Sequence, residues 1–251
     1  MQIYFGTRLF NAQGLFFDKD GTLVDFHHQY ASLMGKRTDL ILSHWRENAD
    51  SLRKALGRAV GYDLKTGMIS PTGPLAVKTR KETIEICAAV LSQHGMPWEE
   101  AYGLTFWAFQ QADKDLTMEE LIEPSEGLVS LLTLLKERGV LLACLTNDDI
   151  RRATDVLAYL GISGCFDLVM GADDVLYPKP HPEIFEKACQ RLGLLPKQTA
   201  YIGDTVSDMV MAKKGGAGLA VGILGGASDR SLLSQEADVV VENLKSITVL
   251  D

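Results

Sequence analysis

The sequence lacks any long apolar segment. No apolar run reaches the roughly 20 residues that a membrane-spanning helix needs. The first residues also lack a basic stretch followed by an apolar one, which is the pattern of a secretory signal. We therefore expect a cytoplasmic protein with no membrane partner.

Paired cysteine motifs are also absent. The four cysteines are widely spaced and form no Cys-x-x-Cys pair, which argues against structural zinc and against a disulfide framework. Cys144 lies in an apolar run and Cys189 in a helical pattern, so buried thiols are expected there.

Positive charge is scarce as well, since 25 Lys and Arg residues face 33 Asp and Glu residues, for a net charge of −8. This balance argues against a nucleic-acid partner held by a broad basic face. It leaves room for an anionic substrate, because a few cations and a metal can reverse the local field in one cleft.

The composition and the pattern indicate an α/β fold. Apolar residues make up 46% of the 251 residues, as in ordinary globular proteins. Short buried strands alternate with helices in residues 1–26 and 121–251, which predicts a Rossmann-like parallel sheet covered by helices on both faces. The predicted strands are Leu15–Phe17, Val140–Leu145, Phe166–Met170, Thr199–Gly203, Gly218–Ile223 and Ala237–Val241.

Residues 27–120 break this alternation. Three stretches there have helical patterns: Gln29–Val60, Leu75–His94 and Pro97–Gln111. They predict a helical domain inserted between the first strand of the sheet and the next. A plain helical extension without a catalytic role is the alternative.

The hexapeptide Asp18-Lys19-Asp20-Gly21-Thr22-Leu23 directly follows the first predicted strand. Side chains two apart in an extended chain point the same way, so Asp18 and Asp20 can face one site while Lys19 points elsewhere. Paired carboxylates suit a nucleophile with a general acid/base, or a site for a hard cation. An EF-hand calcium loop is excluded, because its further ligands are missing.

Two more segments place phosphate-binding groups at strand ends or helix starts. Thr146 and Asn147 follow the strand Val140–Leu145, where a hydroxyl and helix-start N–H groups can hold phosphate oxygens. Lys179 lies between Pro178 and Pro180, which stiffen the backbone and fix one ammonium in place. In isolation the first segment is an ordinary helix N-cap, and the second is a surface lysine.

A fourth segment, Gly203-Asp204-Thr205-Val206-Ser207-Asp208, adds two acids. Asp208 lies one helical turn after Asp204 and on the same face. Close carboxylates repel one another unless a cation or protons offset them. Magnesium is the economical cation, since it prefers carboxylates, waters and substrate phosphate. A helix N-cap with a solvated Asp208 is the alternative.

Together, and in this order, the four segments resemble the motifs of the haloacid dehalogenase-like superfamily, in particular its phosphoglycolate phosphatase-like branch. The resemblance implies that Asp18 is the nucleophile and a Mg²⁺ ligand, and that Asp20 is the general acid/base and touches the metal through its carbonyl. It further implies phosphoryl binding by Thr146, Asn147 and Lys179. Metal ligation by Asp204, with Asp208 ligating through water or orienting the site, completes the implied set. Residues 27–120 would be a helical cap of the C1 type.

The resemblance thus implies a magnesium-dependent phosphatase acting on a small phosphorylated metabolite. Three alternatives stay open at this stage. A phosphomutase would use the same motifs, and a non-catalytic binding module would only keep the fold. A phosphonate hydrolase would need a cap lysine for a Schiff base, for which the candidates are Lys36, Lys54, Lys65 and Lys78.

Overall fold

A computed structural model of the chain describes residues 1–45 and 48–250. They form two compact units. The first comprises Met1–Phe26 and Pro124–Asp251, and the second comprises His27–Glu123. Among the described residues, no helix combines the length and the apolar character needed to cross a bilayer.

The chain begins with a hairpin followed by the first strand of the main sheet. Strands β1 (Gln2–Phe5) and β2 (Arg8–Asn11) pair in antiparallel fashion. Strand β3 (Gly14–Phe17) comes next, and all four of its residues are buried. The hairpin was not predicted from the sequence, because these strands are short and β2 is mostly exposed.

The second unit is helical. Its helices are α1 (Phe26–Ser43, which begins at the last residue of the first unit), α2 (Ala49–Val60), α3 (Pro74–Val77), α4 (Arg80–Gln93), α5 (Trp98–Asp115) and α6 (Met118–Leu121). The predicted helical stretch Gln29–Val60 contains two helices, since α1 ends at Ser43 and α2 begins at Ala49. Residues 46 and 47 of that stretch lie outside the described residues.

The predicted helix Leu75–His94 is also divided. Lys78 is extended, and the Thr79 side chain accepts a hydrogen bond from the backbone N–H of Glu82. Glu82 in turn accepts from the Thr79 N–H, which completes a capping box. A capping box satisfies two free N–H groups and begins a new helix, so α4 begins after Thr79.

The rest of the first unit alternates helices and strands. It contains α7 (Leu128–Glu137), β4 (Leu141–Leu145), α8 (Ile150–Tyr159), β5 (Leu168–Met170), α9 (Glu183–Leu192), β6 (Thr199–Gly203), α10 (Val206–Lys214), β7 (Leu219–Ile223), α11 (Arg230–Glu236), β8 (Val239–Val241) and β9 (Ile247–Val249). Every predicted strand is present, with bounds that differ by two residues at most. Helix α11 and strand β9 were not predicted.

The main sheet confirms the predicted α/β fold. Its order is β5-β4-β3-β6-β7-β8, and all neighbours are parallel. Leu15 and Phe17 of β3 belong to the apolar layer on one face, whereas Phe16 belongs to the layer on the other. Strand β9 instead pairs with β1, which makes a separate antiparallel sheet of β2-β1-β9.

The strand order reverses direction beside β3. From β3 the chain proceeds to β4 and β5 on one side, and it then returns to β6 on the other. Ligands of open α/β sheets bind at such a switch point, beyond the carboxyl ends of the strands. The loops after β3, β4 and β6 therefore frame the expected site.

Candidate active site

Three acidic side chains meet at this switch point. Asp18 follows β3, Asp204 follows β6, and Asp208 lies in the first turn of α10. All three are buried, and they offer carboxylate oxygens that lie within 4.8 Å of one another. They form the acidic triad of this site.

Local structure fixes Asp208. It occupies the N3 position of a capping box, where its Oδ2 accepts hydrogen bonds from the Thr205 backbone N–H at 3.1 Å and from the Thr205 hydroxyl at 2.6 Å. Asp208 Oδ2 thus takes part in the N-terminal cap of α10. Asp208 Oδ1 contacts the ammonium of Lys179.

Lys179 is the cation of the site, and its side chain is buried. Its Nζ donates to Asp18 Oδ1 and to Asp208 Oδ1, each at 2.7 Å. It also contacts the Leu145 carbonyl at 3.1 Å and the Tyr201 hydroxyl at 3.2 Å. Because the ammonium bridges two of the acids, it fixes the position of Asp18.

Asn147 holds the backbone of this lysine. The Lys179 N–H donates to Asn147 Oδ1 at 3.0 Å, and Asn147 Nδ2 donates to the Lys179 carbonyl at 3.2 Å. The neighbouring Thr146 is buried, and its Oγ1 accepts from the Asp148 N–H at 3.1 Å. Asn147 therefore positions Lys179, and direct contact of Thr146 and Asn147 with a phosphoryl group stays a prediction.

The electrostatics follow from three buried acids beside one ammonium, which contacts two of them. Burial, together with the charges of Asp208 and Asp20, raises the pKa of Asp18 from 3.8 to about 7, although Lys179 opposes the shift. Burial and the charges of Asp18 and Asp208 also raise the pKa of Asp204 well above its usual range. Burial lowers the pKa of Lys179, but Asp18 and Asp208 outweigh it and the net shift is upward. The site has more negative charge than Lys179 can offset.

The donor set fits a divalent cation. Asp204 Oδ2 accepts from the Ala227 N–H at 2.6 Å, whereas Asp204 Oδ1 is buried and has no hydrogen-bond partner. A Cβ atom added to Gly21 or to Gly226 would lie 2.2 Å from Asp204 Oδ2. The backbone of these two glycines therefore packs directly against the Asp204 carboxylate. Gly21 also has a φ of 83°, which favours glycine. A buried carboxylate oxygen without a donor, inside an acidic triad, is a suitable ligand for Mg²⁺.

Asp20 has a different neighbour. Its carboxylate lies outside the acidic triad, and its Oδ1 accepts a hydrogen bond from Lys19 Nζ. The expectation that Lys19 points elsewhere is wrong. The residue is fully buried, and its long side chain reaches both Asp20 and Asp148.

Tyr201 is a further residue that the sequence analysis missed. It lies in the middle of β6 and is fully buried, and its hydroxyl lies 3.1 Å from two acceptors, the Leu145 carbonyl and Asp208 Oδ1, to either of which it can donate its one hydrogen. A tyrosine inside an otherwise apolar buried strand was the available signal, since a buried phenol needs a polar partner. The contact of Gly226 with Asp204 was harder to predict, because Gly225-Gly226 has the sequence of an ordinary turn.

Known proteins that are similar to this chain include hydrolases and phosphatases. The family model of haloacid dehalogenase-like hydrolases matches residues 12–216. A probable phosphatase, IndB, of Dickeya dadantii (strain 3937) is 34% identical over 63% of this chain and 75% of its own length. The phosphoglycolate phosphatase of Salmonella typhimurium is 27% identical over 96% of this chain and 92% of its own length.

Among solved structures, a predicted phosphoglycolate phosphatase from Haemophilus somnus 129pt superposes with a TM-score of 0.70. The match is 19% identical and covers 93% of this chain and 95% of that one. At this identity the likeness shows a shared fold.

Proposed function

The chain belongs to the haloacid dehalogenase-like hydrolases, and we propose that it is a magnesium-dependent phosphatase that hydrolyses a small phosphomonoester through a phospho-aspartate on Asp18. The observation that carries the proposal is the buried acidic triad, in which Lys179 contacts Asp18 and Asp208 while one Asp204 oxygen has no donor. The phosphatase relatives named above support the reaction class.

The first half-reaction begins with attack of an Asp18 oxygen on phosphorus. The bond from phosphorus to the leaving oxygen breaks, and Asp20 gives a proton to that oxygen. Lys179 holds Asp18 in place and offsets negative charge, because its ammonium already lies 2.7 Å from Asp18. Positioning and charge neutralisation are what phosphoryl transfer mainly requires.

In the second half-reaction Asp20 takes a proton from water, and the water oxygen attacks the phosphorus of phospho-Asp18. The acyl phosphate bond breaks, inorganic phosphate leaves, and the Asp18 carboxylate is restored. Each group thereby returns to its starting protonation state, as a catalytic cycle requires.

Magnesium would be held by the carboxylates of Asp18 and Asp204, with the Asp20 carbonyl as a further ligand and Asp208 in a supporting position. When bound, it supplies a positive charge that masks the phosphate and lets a carboxylate approach. Asp208 is a weaker candidate for direct ligation, because its oxygens accept from Thr205, Lys179 and Tyr201.

We also propose that residues 27–120 act as the cap domain and that residues 1–26 and 121–251 form the catalytic domain. The division into compact units, with boundaries after Phe26 and after Glu123, supports this assignment. Exposure of the insert lysines gives no support to a phosphonate hydrolase, because a Schiff-base lysine is usually activated by desolvation or by a nearby cation. The four candidates are all partly or fully exposed: Lys36, Lys54, Lys65 and Lys78.

Phosphate release from a panel of phosphomonoesters, including 2-phosphoglycolate and p-nitrophenyl phosphate, tests the proposal. We expect turnover with Mg²⁺, none with EDTA, and none from Asp18→Asn under either condition. The proposal would be wrong if no member released phosphate, or if Asp18→Asn kept the wild-type rate. Isomerisation of a sugar phosphate without free phosphate would indicate a phosphomutase.

A further inference from the structure

Lys19 is a buried charge that the proposed reaction does not use. Its side chain is fully buried and lies in the loop between the two acids of the first motif. Nζ donates to Asp20 Oδ1 and lies 3.4 Å from Asp148 Oδ2. A buried ammonium is tolerated only with such partners, and a buried ion pair rarely adds net stability over apolar packing.

Asp148, the second partner of Lys19, is itself held in place. Arg152 Nε donates to both of its carboxylate oxygens, at 3.1 and 3.2 Å, and the Asp149 N–H donates to Oδ1 at 2.9 Å. The backbone of Asp148 is also bonded, because its N–H donates to Thr146 Oγ1 at 3.1 Å. This carboxylate is therefore a fixed anchor on the loop after β4.

The backbone of Lys19 is fixed as well. Its carbonyl accepts from the N–H groups of Thr22, Leu23 and Val24, at 3.3, 2.8 and 3.2 Å. With the backbone held by this turn and the ammonium held by Asp148, Lys19 presents its positive charge to Asp20 from one direction. The side chain of Asp20 is only 12% exposed, so this contact limits the orientations that its carboxylate can take.

We infer that Lys19 is a positioning residue that holds the Asp20 carboxylate in the orientation needed for proton transfer to the leaving oxygen, with Asp148 and Arg152 as its anchor. The inference rests on the proposed function, since it requires Asp20 to be the proton donor. It identifies Lys19 as the residue that orients the Asp20 carboxylate. It also connects the loop after β3, which contains Lys19, with the loop after β4, which contains Asp148.

The test compares leaving groups. Proton donation matters for an alkyl phosphate such as 2-phosphoglycolate, whose leaving alkoxide is strongly basic, and it matters little for p-nitrophenyl phosphate. We use kcat/KM, because it reports on steps up to departure of the leaving group and is not affected by the later hydrolysis of phospho-Asp18. A variant that only damages folding or metal binding would slow both substrates alike.

We expect Lys19→Met to lower kcat/KM for the alkyl phosphate about 30-fold and for p-nitrophenyl phosphate less than about threefold, since general acid catalysis contributes about 100-fold or more. Lys19→Arg, which keeps the cation, should recover most of the loss. Asp148→Asn should show the same selectivity in a weaker form, and it provides a second test if Lys19→Met does not fold. Asp20→Asn sets the upper limit of the effect.

Equal losses on both substrates, or no loss on either, in Lys19→Met and Asp148→Asn would overturn the inference. So would an Asp20→Asn variant without leaving-group dependence, because Lys19 would then have no proton transfer to assist. Failure of the proposed function is recognised separately, as Mg²⁺-independent turnover of p-nitrophenyl phosphate or full activity in Asp18→Asn.

Discussion

Each compact unit contains a buried or partly buried group of charges, and the two groups are built differently. In the first unit the acidic triad of Asp18, Asp204 and Asp208 lies beside the ammonium of Lys179, which contacts Asp18 and Asp208. In the second unit the guanidinium groups of Arg37 and Arg80 lie 3.6 and 2.5 Å from the carboxylate of Asp113. The same guanidinium groups lie 4.1 and 5.4 Å from the ring centre of Phe109.

The difference distinguishes the proposed metal site from a group of charges that only stabilises the fold. Guanidinium groups spread their charge and pack on an aromatic face, so the second group is stable without a ligand. The first group has excess like charge and an Asp204 oxygen without a donor, which is unfavourable until a cation binds. Four predictions test this contrast.

Asp18→Asn should have the largest effect. Phosphate release should fall at least about 10⁴-fold, because the proposed nucleophile is lost. The melting temperature of the metal-free protein should nevertheless rise, since one of three buried like charges is removed while an amide oxygen can still accept from Lys179. Calorimetry in EDTA measures this, and a large fall in melting temperature would show that the acidic triad is not strained.

Asp113→Asn makes the same chemical change in the second unit and should act in the opposite direction. Removing the shared carboxylate takes away a negative charge that both Arg37 and Arg80 contact, and it should lower the free energy of unfolding by about 3 kcal/mol. Urea unfolding followed by tryptophan fluorescence reports on this unit, because all three tryptophans, Trp45, Trp98 and Trp107, lie within it.

The matched control for that variant is Asp39→Asn. Asp39 pairs with Arg53 at 2.6 Å, but its side chain is 62% exposed, so the same substitution should leave the urea midpoint unchanged. Equal effects of Asp113→Asn and Asp39→Asn would remove the contrast between the two buried groups.

Stabilisation by Mg²⁺ should depend on pH. The raised pKa values of Asp18 and Asp204 mean that the folded protein binds protons that the unfolded chain has lost. Metal-free stability should therefore fall as pH rises from about 4 to about 7. Because Mg²⁺ competes with these protons, saturating Mg²⁺ should raise the melting temperature by about 5 °C at pH 8 and by less than about 2 °C at pH 5. A larger shift at pH 5 would contradict this assignment of the metal ligands.

Gly226→Ala should have the smallest effect. The added Cβ would meet the Asp204 carboxylate at 2.2 Å and displace it, which should weaken Mg²⁺ binding about tenfold. Gly164→Ala is the control, because nothing lies within 4 Å of the Cβ it would add. Titration calorimetry measures both, and unchanged affinity in Gly226→Ala would show that Asp204 is not held by this loop.

The position of the acids could be predicted because it depends on strand ends. Asp18 and Asp204 follow short apolar runs that are β3 and β6 in the structure, and the carboxyl ends of adjacent parallel strands lie together. The alternation of side chains along a strand predicted that Lys19 would point away from the site of Asp18 and Asp20. This prediction is wrong, because a long flexible side chain in a loop can turn back toward a neighbouring acid.

Other features depend on contacts between distant parts of the chain. Ile3 of β1 pairs with Val249 of β9, and no local pattern indicates that these segments meet. The break before α4 was available in the sequence as Thr79-x-x-Glu82, since this spacing is typical of a capping box. The hydrogen bond of Asn147 with the Lys179 backbone could not be predicted, because the two residues are distant in the sequence and only the fold brings them together.

The central claim is that Asp18 becomes phosphorylated. The most direct test is to mix the protein with Mg²⁺ and substrate, stop the reaction with acid within milliseconds, and determine the mass of the peptide that contains Asp18. We predict that this peptide gains the mass of one phosphoryl group, that EDTA prevents the gain, and that Asp18→Asn shows none. Wild-type turnover with no modified peptide at any quench time, or with the phosphoryl group on another residue, would contradict the account.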